Sequence, residues 1–136
     1  MKIKTSELKD RALGWAVATC EGYTNLRMLS YECNNPNCWD CQPELMMTDP
    51  DGDTVHFAYF ATWPANWDLG GHIIEREKIE LKYLGFDNPP CWGALKFSPS
   101  KYERQAAIGS TPLIAALRCY VASKLGDEVD VPEELV

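Results

Sequence analysis

Apolar residues near the start of the chain recur at helical spacing. Leu8, Ala12, Trp15, Ala16 and Thr19 follow an i, i+4, i+7 pattern, and Leu13, Val17 and Cys20 widen the stripe. The pattern predicts a helix from Thr5 or Ser6 to Cys20. Either hydroxyl would cap the free N–H groups, Glu7 suits the first turn, and Gly22 is a natural stop. A second helix is bounded on both sides. Thr111 is a good N-cap, Pro112 suits the first helical position, Lys124 falls in the last turn, and Gly126 suits the C-terminal cap. Its row of Leu113, Leu117, Val121 and Leu125 is expected to face a sheet.

The segments between these helices read mostly as strands and turns. Residues 21–53 are the least regular, with turn chemistry at Asn34-Asn35-Pro36-Asn37 and at Asp49-Pro50-Asp51-Gly52-Asp53. Leu45–Thr48 and Thr54–Phe60 make a hairpin around the second turn. Trp63-Pro64-Ala65-Asn66-Trp67 reads as irregular because Pro64 lacks a donor and biases its neighbour away from helix. Gly71–Glu77 reads as one helical turn. Lys78–Tyr83 alternates polar and apolar as a half-buried strand does, Cys91–Phe97 is a further strand, and Pro99–Gly109 reads as a loop. Two helices around three or four mostly antiparallel strands define an α+β fold, taken as one domain over residues 1–136.

Composition supports a folded core. The 136 residues are 46% hydrophobic and include five tryptophans, while the 24% charged fraction is the globular average. The net charge of −7 argues against general nucleic-acid binding, which rests on Lys and Arg contacts to phosphate. No apolar run approaches a membrane span, and Met1–Ser6 lacks the apolar region of a signal peptide, so the cytosol is expected.

Three stretches carry a resemblance: KIKTSEL…WAVATCEG, WDLGGHIIERE and GSTPLIAALRCYVASKLGDEVDVPEEL. With these the chain resembles the phage alpha-beta-alpha sandwich family, small phage and prophage proteins related to the NinX-like proteins. The resemblance implies a three-layer α-β-α sandwich, with a small, mostly antiparallel sheet flanked by the N-terminal and C-terminal helices. It also implies a host bacterial cytoplasm, and no established activity. His72 stands where the family pattern has proline, the Ala61–Pro64 lead-in differs, and a Cys33–Cys41 cluster is additional.

Candidate chemistry is sparse. Cys33, Cys38 and Cys41 have C-x4-C-x2-C spacing, which with Cys91, His56 or another donor would suit zinc. No second paired motif accompanies them, so free cytosolic thiols are the preferred reading. The Asp49–Asp53 run has glycine fourth and lacks the twelfth-position glutamate of a calcium loop. Glu75 and Glu77 read as a solvated face rather than an acid–base pair. No nucleophile elbow, phosphate-cradling loop or paired histidine–glutamate motif is present, so neither an enzyme nor a cofactor is expected.

The remaining group is Trp63, Trp67, Asp68, Gly70, Gly71, Glu75 and Arg76. Aromatic faces stack on flat ligands, arginine forks a phosphate, and adjacent glycines let backbone N–H groups approach an anion. The competing reading has Trp67 anchoring the loop and the glycines making a bend. Two functions follow. The first is a non-enzymatic accessory protein that binds a small nucleotide-like host molecule at this group. The second is a protein-interaction module, bound to a host protein or to further copies of itself, using exposed tryptophans and the acidic tail Asp127–Val136. That tail reads slightly better as an extended strap, because Val129, Val131 and Leu135 alternate with charge.

Overall fold

The computed structural model describes residues 1–29, 37, 44–58, 62–98 and 102–136. Three antiparallel sheets and three helices make up these residues. The first sheet pairs β1 (Lys2–Lys4) with β8 (Glu128–Asp130). The second runs β2 (Thr24–Leu29), β3 (Glu44–Thr48), β4 (Thr54–His56). The third runs β5 (Glu80–Leu84), β6 (Cys91–Ser98), β7 (Glu103–Gly109). The helices are α1 (Asp10–Cys20), α2 (Trp67–Glu77) and α3 (Pro112–Leu125). The class is the expected α+β sandwich, with its strands shared among three sheets rather than one.

The C-terminal helix forms where the sequence places it. Thr111 accepts a hydrogen bond from the Ile114 N–H at 3.1 Å, Pro112 opens the first turn, and Gly126 ends it at φ +89°. It is an inner element rather than an outer layer. Leu113, Ala115, Ala116, Leu117, Cys119, Tyr120, Val121 and Ala122 are all buried, so its apolar surface runs right round. Cys119 turns toward the β5–β7 sheet, its thiol 3.2 Å from the Gln105 carbonyl of β7. Leu113 instead packs at Gly70 of α2, and Tyr120, seven residues on and on the same stripe, reaches the end of α1. Leu113 therefore faces another helix, not the sheet as expected, and Leu125 at the end of its row is exposed.

The N-terminal helix begins later than its capping residues suggest. Thr5–Glu7 is a 3-10 turn, and the α-helix starts at Asp10. Thr5 is engaged elsewhere: its hydroxyl donates to the Gly126 carbonyl at 2.6 Å and its N–H to Asp127 O at 2.7 Å. The residue read as a helix cap thus holds the two ends of the chain together. Beyond it, β8 pairs with β1 in the register Lys2↔Asp130, Ile3↔Val129, Lys4↔Glu128. Val129, Val131 and Leu135 are buried, so the acidic tail is a strap whose charged residues face solvent.

Three other segments differ from the sequence reading. α2 is three turns, not one, and it contains the Gly70-Gly71 pair read as a bend. Asn66 caps it, accepting from the Asp68 N–H at 3.0 Å, and the Trp63–Ala65 3-10 turn leads into it. Glycine is a poor helix former, but Gly70 lies where any side chain would collide with Leu113, so packing outweighs propensity. Residues 103–109, read as part of a loop, form β7 because β6 offers a full antiparallel ladder from Trp92↔Gly109 to Ser98↔Glu103. β2 was not foreseen. It pairs with β3 through a shifted register, and Arg27 ties the sheet together by donating to Thr48 and Thr54 hydroxyls. The hairpin at Asp49–Asp53 forms, with Asp49 Oδ1 accepting from the N–H groups of Asp51 and Asp53. Its second strand ends at His56, and Phe57 turns into the core.

Candidate functional site

The seven residues singled out from the sequence do not surround one cavity. Trp63 is a core residue, 5% exposed and edge-on to Tyr23 at 6.2 Å. Trp67 opens α2 and is half exposed. Asp68 and the capping Asn66 occupy the end of α2 that would otherwise attract an anion, one supplying negative charge and the other a hydrogen-bond acceptor. Gly70 is filled by Leu113, Gly71 has open space beside it, and Glu75 is exposed. Arg76 lies at the far end of the helix, nine residues from Trp67 and so about 13 Å along the axis. Gly70 serves helix packing, and Arg76 lines a groove.

Cys33, Cys38 and Cys41 lie outside the described residues. Their suggested fourth donors have other contacts: His56 Nδ1 is 2.9 Å from Glu44 Oε2, and the Cys91 thiol donates to Asp87 at 3.3 Å.

Arg76 belongs to a polar cluster where the ends of α1, α2 and α3 meet β6. Its Nη2 donates to both Glu21 carboxylate oxygens, at 3.0 and 3.1 Å, and to the Tyr120 hydroxyl at 3.2 Å. Burial alone would lower its pKa, but the Glu21 hydrogen bond and charge outweigh this and raise it. Glu77 gathers three cations: Lys96 at 3.5 Å, Arg76 at 3.7 Å and Lys124 at 3.9 Å. Lys96 is largely buried, donates to Ser123 Oγ at 3.3 Å, and lies 5.9 Å from the Tyr120 ring centroid. Arg76 approaches the same ring at 5.7 Å. An aromatic ring beside two cations, with two carboxylates between them, holds this corner in one arrangement.

A groove of about 790 Å³ opens from this cluster between the end of α2 and the end of the β5–β7 sheet. Four cationic side chains line it, Arg76, Lys78, Lys96 and Arg104, against two carboxylates, Glu77 and Glu80. The local balance is therefore +2 in a chain of net charge −7. Leu95 and Phe97 supply an apolar wall, and Phe97 stands edge-on to Tyr102 at 6.2 Å. A second groove of about 580 Å³ continues past Lys96 and Ser98 toward Ser123 and Lys124. Cations with an aromatic rim suit a flat molecule bearing negative charge.

One of these residues was legible and overlooked. Along β6, Trp92, Ala94 and Lys96 share the inward face, so a lysine stands where the alternation calls for an apolar residue. Glu21, Tyr120 and Arg104 carry no such mark; only the packing of separate elements brings them to the site.

Two thiols near the cluster are held neutral. Burial, then the Glu21 charge, pushes Cys20 up to about 12, and burial pushes Cys119 up to about 11. Unfolded, both would ionise near 9. Above that pH the unfolded chain binds fewer protons than the folded one, so their stabilisation is complete below pH 9 and declines as pH rises toward 11 or 12. Thermal melts from pH 8 to 11 are expected to show a falling Tm, with a flatter profile in the Cys20→Ala, Cys119→Ala double variant. Equal slopes would show that the thiols do not control the alkaline limb.

The architecture is thus an α+β domain with a cationic groove set in an acidic surface. Its sequence matches the family described as Bacteriophage P22, NinX over residues 4–124, most of the chain, and the protein belongs to this phage family. The chain has no match among curated proteins. Among the described residues, no helix is long and apolar enough to cross a membrane.

Proposed function

We propose that the protein is a non-enzymatic phage accessory protein that binds a small, anionic, nucleotide-derived molecule in the host cytoplasm. The ligand lies in the groove between α2 and the β5–β7 sheet. The observation that carries this reading is the lining: four cations against two carboxylates in a strongly acidic chain. Phosphate or another anion meets Arg76, Lys78 and Arg104, and a base stacks at the Phe97 rim. The binding centre thus moves from the tryptophan–glycine segment to the far end of α2, keeping Arg76 from the original group.

Thermal-shift measurement against mononucleotides, ADP-ribose and cyclic dinucleotides tests this. A ligand at a hundred times its Kd adds about 2.7 kcal/mol, which for a chain of this size raises Tm by roughly 10 °C. Arg104→Glu reverses one lining charge and is expected to weaken binding at least about tenfold, with the loss shrinking at high salt. If no anionic nucleotide stabilises the protein at millimolar concentration, the reading fails.

A further inference from the structure

The β5–β7 sheet has two faces of different fate. Leu81, Trp92, Ala94 and Ala107 pack toward the core, and Lys96 on the same side reaches Ser123 of α3. The alternate residues form the other face. Reading across the paired strands, one row is Lys82, Gly93, Ile108 and the next is Glu80, Leu95, Ala106. Beyond the first row lie Leu84 and Cys91; beyond the second lie Phe97 and Arg104. Ile108 is 54% exposed and Phe97 49%, and Ala106 is exposed as well. An antiparallel sheet with one solvated face ordinarily shows polar residues there. This one shows a mainly apolar surface with charges at the β5 edge and at Arg104.

We propose that this face is the interface of a homodimer. The argument is its self-complementarity. A two-fold axis in the interface plane, crossing the strands between the two central rows, exchanges those rows between copies. It sets Lys82 of one copy over Glu80 of the other, and Glu80 over Lys82. It also sets Ala106 over Ile108, a small residue against a large one, and Leu95 over Gly93, across which the Leu84 side chain lies. Cys91 falls over Phe97. Such an isologous contact repeats each pair twice, and two sheets packed this way interdigitate as the halves of a sandwich do. Strand and row spacings make the face roughly 15 Å by 25 Å. Counting both copies, the area buried is on the order of 1,000 Å², the lower bound for a specific interface. The dimer therefore dissociates on dilution. Glu80, Leu95, Phe97 and Arg104 also line the cationic groove, so the second copy covers that wall and competes there with the ligand proposed above, while Arg76 and Lys96 lie on the opposite side.

Sedimentation equilibrium on the full chain over a hundredfold concentration range is the test. The average mass is expected to rise from 15.4 kDa toward twice that value. Glu80→Lys or Lys82→Glu alone sets like charges opposite each other twice and weakens association by at least about tenfold. The double variant E80K/K82E restores the pairing and brings the dissociation constant back to within about threefold of wild type. Both positions are exposed, so circular dichroism, and Tm measured at concentrations where the chain is monomeric, should be unchanged and a folding defect is recognisable. A monomer at all concentrations overturns the proposal. So does a dimer indifferent to the single reversals, or a double variant that stays as weak as the singles.

Discussion

Removal of residues 127–136 is expected to leave a chain that does not fold stably. The segment buries Val129, Val131 and Leu135, each at most 6% exposed. Burial of such side chains contributes about 1.5–3 kcal/mol each, or about 4.5–9 kcal/mol together, and a domain of this kind has only about 5–15 kcal/mol in all. The deletion also strips β1 of the strand it pairs with and takes the Asp127 carbonyl from the Thr5 N–H. Loss of the thermal transition, with strong dye binding at 25 °C, is the predicted outcome. A truncated chain melting within a few degrees of wild type would show that the strap is dispensable. Replacing only the tail's exposed carboxylates, by contrast, leaves the buried side chains in place.

The second large effect is expected at Gly109, the last residue of β7. A Cβ there would lie 2.6 Å from the Ala115 amide nitrogen, 2.8 Å from Ile114 Cγ2 and 3.1 Å from the Ala115 Cα. Two of these three atoms belong to the backbone of the first turns of α3, the helix at the centre of the fold. A side chain can swing aside, but a helix backbone held by Thr111 and Pro112 cannot do so without moving the whole element. Gly109→Ala should therefore cost about 3 kcal/mol, at the upper end of what overpacking does, and lower Tm by roughly 10 °C. Chemical denaturation of the variant and wild type checks it. A loss below 1 kcal/mol would mean that α3 slides freely on the sheet. Gly70 presents a milder case, because the atom in its way is the end of the Leu113 side chain.

The candidate site was only partly legible. Arg76 was picked out for its chemistry, and it does line a groove. The reason given for it, a glycine-flanked anion cradle beside two tryptophans, does not describe its surroundings. Gly70 and Gly71 looked like a bend because glycine disfavours helix, and nothing local indicates that Leu113, more than forty residues later, needs the space. Trp63 looked available for stacking, yet it is packed in the core. Lys96 could have been found from its inward position in an alternating strand. Glu21 and Tyr120 could not, since a glutamate after a helix and a tyrosine within one are unremarkable until a third element delivers Arg76 between them.

The sequence by itself determined the helix from Pro112 to Leu125, the Asp49–Asp53 hairpin, β5 and β6, the α+β class and the family. All of these rest on short-range physics or on recognisable residue order: capping groups, turn residues and a hydrophobic period act within a few positions. Tertiary structure alone decided that the C-terminal helix is central, that α2 runs through its glycines, and that residues 103–109 become a strand. It also decided that Thr5 clamps the chain ends instead of capping a helix, and that the cations gather at one groove. Each of these depends on a partner distant in the chain, and the energy of filling space or completing a ladder with that partner exceeds the local preference of the residues involved.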